Sequence, residues 1–568
     1  PFEGGYNRIT HNSNAQIDKI LANICIYITM ITDVLDTKSA VLVAAITLTL
    51  CVVIERIQWW LNPLRKSKIP KVPHLIPWLG SADAFLNDTA QFASKWAYRL
   101  KSPVFTAYIA GMDHIFITEA SLMNAAFSGR YPLTWEHVKY RINSLWGVYP
   151  SSAFTLARAR GNHKVFDKYL MNTGGLEKIM SKYQRILNER VNPYLLSKIM
   201  SAKPSDYGKG GNKEWAVSGI FDLFYGAVFR ATVEAFYDDH TLASDEMFER
   251  TSKMLRCLHT LLILPRFVIR LFFNGKCKEL AEIGNLFERK IGCYKMKSKD
   301  GGNLLQDLFN YYESLFDDGT MDTEERWRIM LVPLMASLFN TGPTVFWTVY
   351  YILADEVVYS AVKKEIMSIV HDNSCNDNDN DNNSSATKTN VSFTLADLNK
   401  MQVLDAIISE TLRLKSTMRT VRMRTAVADF NMKLKVHGET KAIPVKKGTL
   451  VHVPMALLHN DAQVFKNPDT FIYDRFLPVN GKPPVFTKNG EIIPNPVNYF
   501  GMGLSYCPGR KLAVAEIKLV IASIFHKYDV RFLGGVVPEK SPKVVNETRR
   551  TTNMFPLEDA QIEIRPCD

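Results

Sequence analysis

Apolar residues recur every three or four positions through most of the chain, for example over Arg326 to Val370 and Leu398 to Leu414. That is the spacing of helices that bury one face. β patterns are rarer. The clearest is Val104 to Thr118, VFTAYIAGMDHIFIT, two β-rich runs about Gly111-Met112-Asp113 that predict a hairpin. Arg422 to Lys435 and Thr449 to Val453 predict further strands. The pattern therefore predicts a mainly α fold with a small β portion.

Two stretches break this pattern. Ser39 to Ile54, SAVLVAAITLTLCVVI, carries no charge and is followed by Glu55, Arg56, Trp59 and Trp60. At about 1.5 Å per residue this run is shorter than the roughly 30 Å hydrocarbon core of a bilayer. It spans only if its flanks join it, with Glu55 and Arg56 snorkelling and the tryptophans at the interface. A buried or interfacial helix is the competing reading. Arg65, Lys66, Lys68 and Lys71 follow, and by the positive-inside rule they place the remainder in the cytosol. Pro63, Pro70, Pro73 and Pro77 stiffen that connection. Upstream, Ile20 to Leu35 is apolar but interrupted, and reads as amphipathic or lumenal.

The second stretch, Asp372 to Asn390, has almost nothing to bury and is predicted as a disordered loop. Asn383 and Asn390 match the glycosylation acceptor pattern, which a cytosolic loop leaves unmodified. The boundaries that result are an N-terminal segment at 1–38, a membrane anchor at 39–61, a basic Pro-rich hinge at 62–80 and a single main domain at 81–568, with 371–390 as an insertion.

Composition narrows the picture only slightly, since 46% apolar and 22% charged residues are ordinary for a globular chain. Charge adds more. The 69 Lys plus Arg against 57 Asp plus Glu give a formal +12, which suits an anionic membrane surface or an acidic protein partner. No nucleic-acid motif accompanies it. The eight cysteines lack the paired spacing of a zinc site or a disulfide framework, which fits a reducing compartment.

One cysteine stands in a distinctive setting, Phe500-Gly-Met-Gly-Leu-Ser-Tyr-Cys507-Pro-Gly-Arg510, ahead of an amphipathic helix that starts near Lys511. Gly501 and Gly503 allow tight turns, and Gly509 allows the backbone to approach a large planar ligand. The dipole and free amides of a helix start favour a thiolate at Cys507. For an isolated cysteine, a buried structural residue on a turn is the better reading. The surrounding pattern changes that, because the loop resembles the cysteine-ligand loop of the cytochrome P-450 superfamily.

Further motifs stand in that superfamily's order. Glu410-Thr-Leu-Arg413 resembles its E-x-x-R pair, in which residues three apart share a helix face. Arg475, within Pro468 to Phe476, is similar to the third member of the structural triad that the superfamily places behind its haem. The resemblance runs from about Pro70 to the C-terminus. It implies haem b, with Cys507 as axial ligand of the iron and Phe500, Gly501, Gly503, Gly509 and Arg424 as cofactor-binding residues. Arg424 would pair with a propionate by charge-assisted hydrogen bonds. A thiolate ligand pushes electron density onto the iron and favours O–O cleavage. Phe471 to Lys482 and Met423 to Phe430 are similar to the branch containing cholesterol and oxysterol 7α-hydroxylases, sterol 12α-hydroxylase and prostacyclin synthase.

The chain also departs from the superfamily pattern. Ser505 stands where Arg or His usually holds a second propionate, which leaves Lys164 or Lys168 as weak substitutes. In Leu334 to Trp347, Gly342 and Pro343 occupy the positions where most monooxygenases of the superfamily have an acid and Thr to relay protons. Asn340 and Pro343 are similar to replacements in the named branch. Pro343 cannot donate to the Phe339 carbonyl, so a local opening of the helix is expected. Asn340 can donate and accept, and Thr341 and Thr344 are candidate hydroxyls; these three residues are the catalytic candidates.

Two reactions follow from the resemblance. One is monooxygenation of an apolar lipid, a sterol or oxysterol, with O2 and electrons from an NADPH-dependent cytochrome P-450 reductase. The other is reductant-free rearrangement of a lipid endoperoxide or hydroperoxide. A haem sensor without turnover is a third reading. Arg510, Lys511, Glu516 and Lys518 give a basic balance where an acidic reductase could dock. Leu258 to Phe273 is similar to a substrate-roofing segment that dips into lipid, a core helix being its rival. The implied location is the endoplasmic reticulum membrane.

Overall fold

The computed structural model of the chain describes residues 53, 69–74, 80–109, 111–135, 163–201, 215–237, 240–253, 282, 304–316, 331–377, 391–416, 422–436, 438–494, 496–501, 506–544 and 555–567. The expected anchor at 39–61, apart from Val53, lies outside these residues, as do most of the hinge, the segment 258–273, and Gly503 and Ser505. Among the described residues no single helix is long and apolar enough to cross a membrane.

The main sheet joins β1 (Val104–Ile109), β2 (Met112–Ile117), β3 (Leu133–Thr134), β5 (Arg422–Ala426) and β8 (Leu450–Val453) in the order β1-β2-β8-β5-β3. Alternation along β1 and β2 serves two cores at once. Val104, Ile115 and Ile117 enter one cluster, while Phe105, Ala107, Ile109 and Phe116 enter another. The hairpin is tighter than its sequence pattern predicts: Ile109 pairs with Met112, so Met112 and Asp113 belong to the strand. Gly111, at φ 83°, takes the turn. Two smaller sheets carry β6 (Phe430–Val436) with β7 (Glu439–Val445), and β4 (Ala216–Gly219) with β12 (Gln561–Pro566) and β11 (Tyr528–Phe532).

Six helices build the site: α1 (Thr173–Ile186), α2 (Gly226–Tyr237), α3 (Leu331–Leu353), α4 (Glu356–Asp377), α5 (Gln402–Lys415) and α6 (Arg510–Phe525). The long apolar pattern from Arg326 to Val370 is therefore two helices, with the chain turning by 110° between α3 and α4. Its period survives the break because Ile352 and Val358 enter the same core. α4 also corrects the loop prediction, since it continues through Asp372 to Asp377. Adding a residue to an existing helix is far easier than nucleating one, so a polar tail can remain helical.

α6 differs from the amphipathic helix expected after the cysteine. Leu512 and every residue from Ala515 to Phe525 are buried, Glu516 and Lys518 included. The helix is enclosed on all sides by the largest core cluster, to which α1 to α5 also contribute. With helices outnumbering short strands, the architecture is mainly α with a small β portion.

Candidate functional site

α5 carries a buried, fully bonded cluster of charges. Glu410 and Arg413 are each 0% exposed, and the Glu410 carboxylate accepts from Arg413 Nε at 2.7 Å and Nη2 at 2.8 Å. Arg475 Nε donates to Glu410 Oε1 at 3.0 Å, and the Ile472 amide donates to the same oxygen at 3.2 Å. Arg413 Nη1 finds the carbonyls of His459 and Pro468, both at 2.6 Å, and Arg475 Nη1 finds that of Lys466 at 2.7 Å. Both guanidiniums lie over the Phe465 ring. Buried ions hold together when opposite charge and hydrogen bonds replace the lost water, as they do here.

The same helix reaches the cysteine loop. Ser409 bonds the Tyr499 hydroxyl at 3.0 Å, and the Tyr499 ring meets Phe500 edge to face at 5.0 Å. The Cys507 amide donates to the Phe500 carbonyl at 2.8 Å, with Gly501 at φ 91° between them. Gly509 caps α6. A methyl added at Gly509 would stand 3.9 Å from the Cys507 sulfur, so the glycine keeps the space beside the sulfur open. In the chain without haem, burial opposes the thiolate. Burial pushes the Cys507 thiol up, and the Gly509 amide and the Arg510 and Arg422 guanidiniums pull it back only in part.

β5 places Arg422 and Arg424 two positions apart, hence on one face. Burial pushes both down to about 10. Arg424 donates to the Phe127 carbonyl at 3.2 Å and lies over the Phe127 ring, whereas the Arg422 Nε is buried with no hydrogen-bond partner. The Arg422 guanidinium is close enough to feel the charge of Cys507. A buried Arg424 and a half-buried Arg422 with an orphaned Nε, near Cys507, suit an anionic planar group such as haem with its carboxylates. Arg422 escaped the sequence reading. Its signal was the alternation Arg-Met-Arg in a strand.

α3 carries the three catalytic candidates. Ala336 and Asn340, one turn apart, are exposed, while Thr341 to Tyr350 are all buried, so the helix shows open space along a single narrow face. Asn340 folds back, its Nδ2 donating to the Ala336 carbonyl at 2.6 Å. Thr344 donates to the Asn340 carbonyl at 2.8 Å, which commits that hydroxyl to the helix itself. Thr341 is 2% exposed and its hydroxyl has no partner. The opening expected at Pro343 does not interrupt the helix, which runs unbroken from Leu331 to Leu353. Proline removes one bond, and fully buried Val345, Phe346 and Trp347 clamp the next turn. A methyl at Gly342 would come within 2.4 Å of the Tyr225 ring, so no larger side chain fits the position where the acid is missing.

Other candidates fall elsewhere. Lys168 is paired with Asp307 at 2.7 Å, and Lys164 is exposed. Of the four charges proposed as a basic docking face, Glu516 and Lys518 are 0% and 3% exposed and do not reach solvent. Lys518 instead binds Asp405 at 2.7 Å and the Leu398 carbonyl. Arg510 and Lys511 remain, turned toward Met171.

A family model described as Cytochrome P450 matches residues 70–553. The chain is 25% identical over 519 residues to 7-alpha-hydroxycholest-4-en-3-one 12-alpha-hydroxylase of Oryctolagus cuniculus, covering 88% of this chain and 95% of the relative. It is 24% identical over 508 residues to Cytochrome P450 7B1 of Mus musculus, with coverage of 85% and 89%. Against Cholesterol 7-alpha-monooxygenase of Cricetulus griseus the identity is 24% over 521 residues, covering 89% and 96%.

Proposed function

The chain belongs to the cytochrome P450 family, and on that premise we propose that it hydroxylates a sterol or oxysterol with O2 and electrons from an NADPH-dependent reductase. Membership makes it an oxidoreductase, a P450 monooxygenase, and brings haem b held by a cysteine thiolate. Haem, when bound, supplies the iron on which O2 is activated, with the thiolate pushing electron density toward O–O cleavage.

The residues of this chain divide the remaining work. Cys507 is the proposed axial ligand, on a loop closed by its own amide and tied through Tyr499 to α5. Glu410, Arg413 and Arg475 hold the backbone from His459 to Ile472 behind that loop. Arg422 and Arg424 are the proposed partners of the haem carboxylates. Asn340 borders the open face, where its amide can orient a polar oxygen of substrate or water, and Thr341 is the remaining uncommitted hydroxyl.

The observation that carries the reading is the Cys507 loop, tied through Tyr499 to the helix of the Glu410, Arg413 and Arg475 cluster, with the Arg422 guanidinium close enough to feel the charge of Cys507. The sterol assignment draws on the names of relatives that align over nearly the whole chain. A membrane anchor at 39–61, with lipid-facing residues at 258–273, would let such a substrate enter from the bilayer of the endoplasmic reticulum. The test is oxygen transfer: purified holoenzyme, reductase and NADPH with labelled O2 and a sterol panel. Label in a product, dependent on NADPH, is the expected outcome. An unlabelled product formed without reductant would replace this reading with a peroxide rearrangement.

A further inference from the structure

α3 lacks any group that could supply protons to its open face. From Leu331 to Leu353 it contains no Asp, Glu, His, Lys or Arg. Position 342 is closed by the Tyr225 ring. Yet oxygen insertion with reductant needs two protons for each O2, one oxygen leaving as water. Those protons have to come from another element.

Glu516 of α6 meets α3 at Ser337. It is 0% exposed, and its Oε2 faces the Ser337 hydroxyl at 3.5 Å while its Oε1 has no hydrogen-bond partner. Thr232 from α2 and Tyr183 from α1 complete its surroundings. The charged groups of the neighbouring elements are turned to other partners. Arg510 and Lys511 reach Met171, and Lys518 binds Asp405 of α5. On α4, Lys363 binds Asp529 and Glu365 takes the amides of Val403 and Leu404. Glu234 of α2 pairs with Arg190. Tyr183 is itself pushed well above the usual phenol range by burial. With no cation beside it among the described residues, the Glu516 carboxyl is raised by burial to about 8, so it is protonated at neutral pH.

Ser337 touches Glu516 and lies beside the open face. It is half-buried, adjacent to exposed Ala336 and one turn short of Asn340's position on the open face. A hydroxyl donates and accepts at once, so it can take one proton while passing on another.

We propose that Glu516 is the proton donor for the open face of α3, acting through Ser337 in place of the acid this helix lacks. A proton leaves Glu516 Oε2 for Ser337 Oγ as the Ser337 hydroxyl proton moves to a water beside Ala336 and Asn340. The carboxylate regains a proton from solvent after each transfer and so acts twice per turnover, which makes water the net source of both protons. The inference rests on the monooxygenase reading.

Infrared spectroscopy and turnover test it together, on the holoenzyme with reductase, NADPH and labelled O2. A protonated-carboxyl band present at pH 7 should vanish in Glu516→Gln, shift in Ser337→Ala and titrate away above pH 8. Ser337→Ala should form labelled product about a hundredfold more slowly, the low end for a positioned proton donor, with Ser337→Thr restoring it. The wild-type rate should fall as pH rises through the same range, and Glu516→Gln should lose that limb. Labelled product from the wild type, with Ser337→Ala equal to it in rate and pH profile, would overturn this inference alone, as would absence of the carboxyl band at pH 7. An unlabelled, reductant-free product from the wild type would overturn the functional reading and this inference with it.

Discussion

Glu410 and Glu516 are both fully buried carboxyls, and their surroundings could hardly differ more. Glu410 is met by two guanidiniums and a backbone amide. Glu516 is met by hydroxyls, and one of its oxygens has no partner. The first arrangement fixes a charge and uses it to hold chain segments together. The second leaves a group that can take up and release a proton. Burial alone thus says little about a charged residue's role, and the inventory of its partners says most of it.

Breaking the Glu410 cluster should have the largest effect. Arg413→Ala leaves a buried carboxylate facing one arginine, and losing one partner of a buried pair costs about 3–5 kcal/mol. Urea denaturation of the haem-loaded protein should register that loss, with the haem released early. A change below about 1 kcal/mol would place the cluster on a par with exposed ion pairs and remove the contrast.

Glu516→Gln should move stability the other way, increasingly as pH rises above about 4.5. The folded protein holds the Glu516 proton up to about 8, far above the ordinary 4.5, so the group's contribution is fully present below about 4.5 and is lost as pH rises through 8. At pH 9 the wild type should therefore be less stable than Glu516→Gln by about 2 kcal/mol or more, and at pH 4 the two should converge. Denaturation midpoints across that range check it. A wild type whose stability does not decline between pH 5 and 9 would show that some cation compensates Glu516 after all.

Arg422 occupies the ground between these extremes, a half-buried cation whose buried Nε has no partner. Arg422→Met should stabilise the haem-free chain by about 1 kcal/mol, because a packed apolar residue avoids the desolvation of an unmatched charge. The same change should loosen the cofactor, read as faster transfer of haem to apomyoglobin. Loss of stability without any change in haem transfer would assign the residue to the fold instead.

These three sites differ in how legible they were from sequence. Glu410, Arg413 and Arg475 belong to motifs of fixed order, and the cysteine loop carries its own glycine signature, so their residues could be named before any fold was known. The helical period likewise exposed α3, α4 and α5, and β-rich runs exposed β1 and β2. Glu516 and Lys518 read as surface charges because RKLAVAEIK has the look of a half-solvated helix. Only tertiary packing encloses α6 on every side, and no local period records that. Arg422 was hidden for a related reason, since alternation identifies a strand's faces without saying which one meets the site. The turn at Gly111 and the polar extension of α4 to Asp377 lay within the ordinary uncertainty of element boundaries.

The smallest predicted effect separates two threonines that look equivalent in sequence. Thr344 donates to the Asn340 carbonyl at 2.8 Å, so its hydroxyl is already spent within α3. Such a bond to the preceding turn adds little to helix stability, and valine matches threonine in shape. Thr344→Val should therefore change stability by less than about 1 kcal/mol, a single hydrogen bond's net worth, and leave product formation within about twofold of wild type. Thr341 is buried with no partner for its hydroxyl, one turn from Ser337 on the same helix. Thr341→Val removes an unsatisfied polar group and should raise stability slightly. If it also slows product formation while Thr344→Val does not, the orphaned hydroxyl belongs with Glu516 among groups kept for the reaction. Equal behaviour of the two variants would instead place Thr341 with Thr344, as a packing residue whose hydroxyl does nothing.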